Sequence, residues 1–274
     1  MAWDERQQRL LAAMGLRVWA PPAAGAPAAE ELAVAAVADT DADAAPPVRA
    51  RLAQAVPAAV PAPAPVAAPR SPAAGAPAGL GWPELREAVA SCRACALCEQ
   101  RTQTVFGVGH PQAAWMVVGE APGENEDRKG EPFVGAAGQL LDCMLAALSL
   151  TRAADGEVPR EQRVYIANTL KCRPPGNRNP TPEELAKCEP FLVRQIELVR
   201  PRLILAMGRF AVQALLRSDE PIGKLRGRVH RYQGLPLIVT YHPAYLLRNL
   251  PEKAKAWDDL CLAAEVFEQQ APTS

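Results

Sequence analysis

Four short apolar, β-rich runs, at residues 114–118, 164–169, 203–207 and 237–240, alternate with helical stretches over 137–150, 182–199 and 209–216. Continuous apolar strands separated by helices predict a parallel sheet covered on both faces, because parallel strands need crossover connections and those crossovers pack on the sheet. In such a sheet the functional loops collect at the carboxyl ends of the strands. The sequence there is polar and rich in Gly and Pro. GEAPGENEDRKGEPFVG (119–135) follows the first run, Asn168 and KCRPPGNR close the second, Gly208 and Arg209 the third, and YHPAYLLR (241–248) the fourth. One more helix is expected ahead of the sheet, over 83–91.

The rest of the 274-residue chain divides by composition. Residues 21–79 are dominated by Ala and Pro and cannot bury enough apolar area to offset chain entropy, so they are expected to form a flexible linker. Residues 1–20 place Leu10, Leu11 and Met14 at helical spacing and are expected to form an amphipathic helix, either without a partner or as a docking peptide for a replication or repair protein. The globular domain is expected over 80–274. Thirty basic residues balance thirty acidic ones, which argues against an overall coat of charge but leaves room for basic stretches at 171–178 and 224–231. The charged opening MAWDERQQRL is no secretory signal, and no run of eighteen apolar residues occurs, so cytoplasmic residence without a membrane is expected.

Seven cysteines fit that reducing setting as thiols rather than disulfides. Cys92 and Cys95 form a C-x2-C knuckle, Cys98 extends it, and Cys172 and Cys188 supply a distant pair. Five thiols thus compete for the four positions of one soft-metal site that would pin the start of the domain to its middle. Buried thiols, a structural zinc and an iron–sulfur cluster are all compatible with the spacing. Cys143 and Cys261 lie in helical, apolar surroundings and are expected in the core.

The 119–135 loop lacks the GK[ST] ending of a phosphate cradle, and Glu120, Glu124, Glu126, Asp127 and Glu131 would repel phosphates. Acidic groups over a strand end suit water orientation or hydrogen bonding to a neutral heterocycle. Phe133 in that loop is either a core residue or a stacking platform for a base. His242 follows a strand and precedes Pro243, which holds its backbone extended and presents its ring at the sheet edge. His110 and His230 lack such a context and are expected at the surface.

Four segments taken together, CRACALCEQRTQTVFGVGHP, GEAPGENEDRKGEPFVGAAGQLL, ANTLKCRPPGNRNPTPEE with the following Cys188, and YHPAYLLR, resemble the family 4 uracil-DNA glycosylases, the iron–sulfur class of bacteria and archaea. The resemblance runs from about residue 80 to about residue 268. It implies a three-layer α/β/α sandwich with a four-stranded parallel sheet, a [4Fe-4S] cluster held by Cys92, Cys95, Cys172 and Cys188, and excision of uracil from single- or double-stranded DNA by a monomer. Position by position, it assigns Glu120, Ala121 and Pro122 to the first active-site motif, Phe133 to stacking, Asn168 to reading uracil and His242 to the second motif. Ala121 stands where classical relatives carry a water-activating Asp, which leaves Glu120, Glu126, Asn177 or backbone carbonyls to orient water.

That family chemistry needs little from a base, since the bond can break with uracil leaving as an anion, stabilised by a hydrogen bond from His242 near O2. Asn168 can accept from N3–H and donate to O4, a pattern cytosine inverts. The target must be extruded from a duplex. Leu246 and Leu247 are candidate wedges for the emptied stack, and Arg173, Arg178 and Arg248 candidate phosphate contacts. Two alternatives are a covalent or damage-binding relative, which would carry an inserted basic loop absent between 150 and 164, and a zinc-stapled nucleic-acid-binding module.

Overall fold

The computed structural model describes residues 77–154 and 156–270. The expected helix over 1–20, and the expected linker apart from its last three residues, lie outside them. Helix α1 (Trp82–Ala90) and the short α2 (Leu97–Gln100) precede β1 (Val108–Gly109). Strand β2 (Trp115–Gly119) leads to α3 (Glu124–Lys129) and α4 (Ala136–Ala147), β3 (Val164–Asn168) to α5 (Pro182–Val199), and β4 (Leu203–Met207) to α6 (Arg209–Leu216) and α7 (Ile222–Leu225). A hairpin of β5 (Val229–Tyr232) and β6 (Leu235–Thr240) is followed by α8 (Pro243–Arg248) and α9 (Glu252–Gln269).

The sheet has six strands in the order β1-β3-β2-β4-β6-β5 and is mixed, where four parallel strands were expected. The central four run parallel, and β1 and β5 add antiparallel edges. Both edges escape a pattern-based reading for physical reasons. β1 is two residues long, and β5 alternates exposed and half-buried positions because only one of its sides meets the protein. The β5–β6 turn is closed by Gln233 and Gly234, both at positive φ (48° and 86°), as a two-residue hairpin that follows the strand twist requires.

Alternate side chains of the central strands fill two separate cores. Val117, Ile166, Leu205 and Ile238 face α4, α8 and α9, where Leu141, Met144, Leu246, Trp257 and Leu260 are buried. Met116, Val118, Ala167, Ile204 and Val239 face α5, α6 and α7 against Leu192, Ile196 and Val212. The three-layer α/β/α arrangement follows from this two-sided burial, each large apolar side chain contributing roughly 1.5–3 kcal/mol. Helix α5 starts where Thr181 accepts the Glu184 N–H, Glu184 returns a carboxylate to the Thr181 N–H, and Pro182 supplies a preset φ. Cys143 sits exposed on α4, not in the core, and Cys261 on α9 is half-buried.

Candidate active site

Strands β2 and β3 end side by side, with Gly119 paired to Asn168. Asn168 is 2% exposed, and its side-chain Oδ1 has no hydrogen-bond partner. A buried acceptor left open is costly, so the site is built to receive a donor. Gly119 makes the approach possible: a Cβ there would lie 2.4 Å from Asn168 Oδ1 and 2.7 Å from Phe133 Cζ. Phe133 is a buried non-glycine residue at φ 55°. Arg152 holds it in that conformation by donating to the carbonyls of Pro132 (3.1 Å) and Phe133 (3.0 Å) while pairing with Asp142.

Phe133 stacks on His242, with ring centroids 5.2 Å apart and planes inclined by 24°. Nδ1 of His242 accepts the Ala244 N–H at 3.2 Å at the start of α8. Burial lowers its pKa to about 4, with Glu126 opposing and Arg248 adding to the shift. The ring is therefore neutral at physiological pH with its proton on Nε2, a donor aimed by a backbone contact on the other nitrogen.

The acidic loop is more ordered than its composition suggests, since it contains α3. Glu126 accepts the N–H groups of Gly123 (3.1 Å) and Val134 (3.1 Å), one on each oxygen. Asp127, 3% exposed, accepts the Thr102 N–H on both oxygens at 3.0 Å. Glu120 reaches across to the amino end of α6, where Oε1 accepts the Phe210 N–H at 3.2 Å; Gly208, at φ 94°, leaves room for it. Burial raises the Glu120 pKa, and the Phe210 and Arg209 N–H groups partly offset this. Asn177 accepts from Arg173 Nε at 2.7 Å. The carboxylates of Glu120 and Glu126 and the amide oxygen of Asn177 therefore already hold protein hydrogen bonds.

One cleft is lined by Glu120, Ala121, Pro122, Glu126, Phe133, Asn168, Asn177, Arg178, His242 and Arg248, and also by Arg209, Phe210, Tyr241 and Tyr245. Arg209 and the stacked Tyr241–Tyr245 pair (5.0 Å) went unassigned in the sequence, although Gly208-Arg209 stands at a strand end. Leu246 is not a wedge: it is fully buried in the core under α8, while Leu247 is 41% exposed. Arg178 is drawn away from a phosphate role by its two-pronged pairing with Glu184 at 2.9 and 2.6 Å. Arg173 does not line the cleft and contacts Asn177 and Glu124. His110 and His230 are half-buried rather than at the surface, His230 bonding the Leu225 carbonyl at 2.7 Å.

Cys92, Cys95, Cys98, Cys172 and Cys188 line a second, smaller cavity with Arg101 and Lys171. Arg101 donates to Cys172 Sγ at 2.9 Å and clamps the Cys92 carbonyl at 2.9 Å, and the Lys171 N–H donates to Cys188 Sγ at 3.2 Å. Burial pushes the Cys188 thiol up to about 12 and also raises Cys95 and Cys172, with Arg101 opposing the shift at Cys172. Among the described residues no three His, Cys, Asp or Glu side chains converge tightly enough to hold a metal ion. Ala121, which lines the cleft, also packs against the cluster of Leu97, Leu170 and Cys172 beside the cysteines.

The chain carrying these groups at its strand ends matches the family model of the uracil DNA glycosylase superfamily over residues 106–261. The chain belongs to that superfamily. It is 42% identical over 193 residues to the type-4 uracil-DNA glycosylase of Archaeoglobus fulgidus, covering 68% of this chain and 92% of that protein. With the type-4 enzyme of Thermotoga maritima it shares 44% identity over 165 residues, 60% of this chain and 81% of the relative. A type-5 uracil-DNA glycosylase of Pyrobaculum aerophilum is 35% identical over 158 residues, 52% and 69% of the two chains. Within the superfamily the chain groups with the type-4 enzymes.

Proposed function

We infer that this chain hydrolyses the N-glycosidic bond of deoxyuridine in DNA, releasing uracil and leaving an abasic site. Family membership supports the reaction. The observation that carries the choice of base is Asn168, whose buried Oδ1 lacks a partner. That oxygen accepts uracil N3–H and the amide donates to O4, so cytosine would leave both groups unpaired in a closed site. Extrusion of the nucleotide brings the base to the cleft floor beside Phe133, with Leu247 entering the stack and Arg248 and Arg209 near the phosphates.

As the C1′–N1 bond breaks, its electron pair leaves on uracil and water adds to C1′, with one proton of water lost to solvent. Neutral His242 donates Nε2–H to O2, where charge grows, and a preorganised donor of this kind contributes about 3 kcal/mol. Water orientation is shared among Glu120, Glu126, Asn177 and backbone groups, because each of these side chains already holds a protein contact. Among the described residues no lysine lines the cleft, which supports hydrolysis without a Schiff-base lyase step. The test is single-turnover release of uracil from a labelled oligonucleotide, wild type against Asn168→Ala, with cytosine- and thymine-containing strands as controls.

The donor set around the smaller cavity fits a [4Fe-4S] cluster on Cys92, Cys95, Cys172 and Cys188: four thiols from two distant segments, with N–H donors already directed at two of the sulfurs. When bound, such a cluster supplies a cross-link between the domain's start and its middle and takes no part in the cleavage step. About four iron atoms per chain and a yellow-brown colour are expected, and colourless, active, zinc-loaded protein would refute the assignment. A monomer in the cytoplasm, with residues 1–20 docking a replication or repair protein, completes the proposal; no helix among the described residues is long and apolar enough to cross a membrane.

A further inference from the structure

Lys171 is among the largest fully buried side chains, contributes no thiol to the cysteine set and does not line the cleft. Its Nζ donates to the Asn168 carbonyl at 2.6 Å and to Gln195 Oε1 at 2.6 Å. Gln195, itself fully buried, is fixed from behind by donating to the Phe106 carbonyl (2.8 Å) and the Tyr165 hydroxyl (3.2 Å). The main chain of Lys171 is held as well, its carbonyl accepting the Val105 N–H at 2.8 Å and its N–H donating to Cys188 Sγ at 3.2 Å.

Thr169 and Leu170 continue the pairing with the end of β2, their N–H groups donating to the carbonyls of Gly119 and Glu120. The Lys171 N–H is committed to sulfur, and the buried Asn168 carbonyl is satisfied by the side-chain ammonium of the same residue. We propose that Lys171, braced by Gln195, is a positioning residue for base recognition, gripping the Asn168 main chain from inside so that the Asn168 amide meets the uracil edge at a fixed angle. This rests on Asn168 as the uracil reader. One residue then sets both a cysteine sulfur, through its main chain, and the reader, through its side chain.

The test is single-turnover excision by iron-loaded protein at matched iron per chain. Lys171→Met keeps the volume and removes the donors, and should slow uracil excision about 100-fold, the scale of a displacement of roughly 1 Å in an active site. Lys171→Gln can still donate to the Asn168 carbonyl and should recover at least about tenfold of that loss. A residue acting through Asn168 has nothing left to position in an Asn168→Ala background, so there Lys171→Met should cost less than about twofold. A purely structural role would multiply in full on that background, and that result overturns the proposal, as does wild-type excision by Lys171→Met. If Lys171→Met does not fold, Lys171→Gln carries the same cycle, with a loss of about tenfold that must vanish on Asn168→Ala. Asn168→Ala excising at the wild-type rate would refute the reader itself, and the positioning role with it.

Discussion

Asn168 and Cys172 are four residues apart, yet the surroundings of the two are opposite in kind. At Cys172 the polar atoms nearby are directed at sulfur: Arg101 donates to it at 2.9 Å, and the neighbouring Lys171 N–H serves Cys188. At Asn168 the main-chain carbonyl is satisfied but the side-chain acceptor is left open in a buried position. On the roles proposed above, a structural centre is saturated from within, and a recognition centre keeps one bond for its ligand. The carboxylates of the same cleft sharpen the contrast, since Glu120 and Glu126, like the Asn177 amide oxygen, are already engaged by the protein.

The widest break in that comparison should come from Cys172→Ala. Iron should be lost and the melting temperature should fall by about 10 °C or more, because binding of a structural metal centre is folding free energy; full iron and an unchanged transition would remove Cys172 from the ligand set. Asn168→Asp should leave iron in place while cutting uracil excision about 1000-fold, measured in single turnover at a temperature where the variant is folded, since a charged acceptor replaces the donor to O4. His242→Ala should lower kcat about 100-fold with little change in binding of uracil-containing DNA, as expected for a bond that strengthens while the leaving group gains charge.

The same histidine sets a pH dependence whose sign is fixed by the direction of its shift. Its pKa is about 4 in the folded protein and near 6.5 in the unfolded chain. Between these values the unfolded chain binds the extra proton. The stability contributed by neutral His242 is therefore complete above about pH 6.5 and is lost as pH falls towards 4. Denaturation curves of wild type and His242→Gln should diverge across that window. The acid limb of kcat assigned to this residue should lie near pH 4, and a limb near 6.5 that disappears in His242→Gln would contradict the buried, neutral ring.

Smaller effects separate neighbours. Leu246→Ala should cost about 2–5 kcal/mol of stability as a core cavity, whereas Leu247→Ala should leave stability unchanged and slow excision a few-fold more on duplex than on single-stranded DNA. Equal effects at the two positions would break the distinction between the buried and exposed leucines. Cys98→Ala should leave iron content unchanged although Cys98 lines the same cavity, and loss of iron there would redraw the ligand set.

The central strands and the helices over 182–199 and 209–216 were legible because two-sided burial writes itself as continuous apolar runs, and helical amphipathicity as a 3.6-residue period. The edges were not, since β1 is too short to show a period and β5 has only one buried side. Within the cleft, Asn168 and His242 stand out by their places at strand ends, and Phe133 as an aromatic inside an acidic loop. What the sequence withheld was pairing in space: the Arg178–Glu184 fork, the grip of Arg152 on Phe133, and the burial of Leu246 beside an exposed Leu247. Residues 246 and 247 are identical in type, so only the phase of a six-residue helix, too short to establish a period, separates them.

Gly119 carries a consequence for how variation in this protein should be read. A methyl group there would sit 2.4 Å from Asn168 Oδ1 and 2.7 Å from the Phe133 ring, so even alanine displaces the reader or the ring that supports His242. A survey of every substitution would thus rank this glycine with Asn168 in intolerance, although it has no side chain with which to touch DNA. If Asn168 reads the base as proposed, selectivity depends partly on an atom the chain does not have, and a map of contacts to bound DNA would overlook a position that a map of tolerated mutations marks.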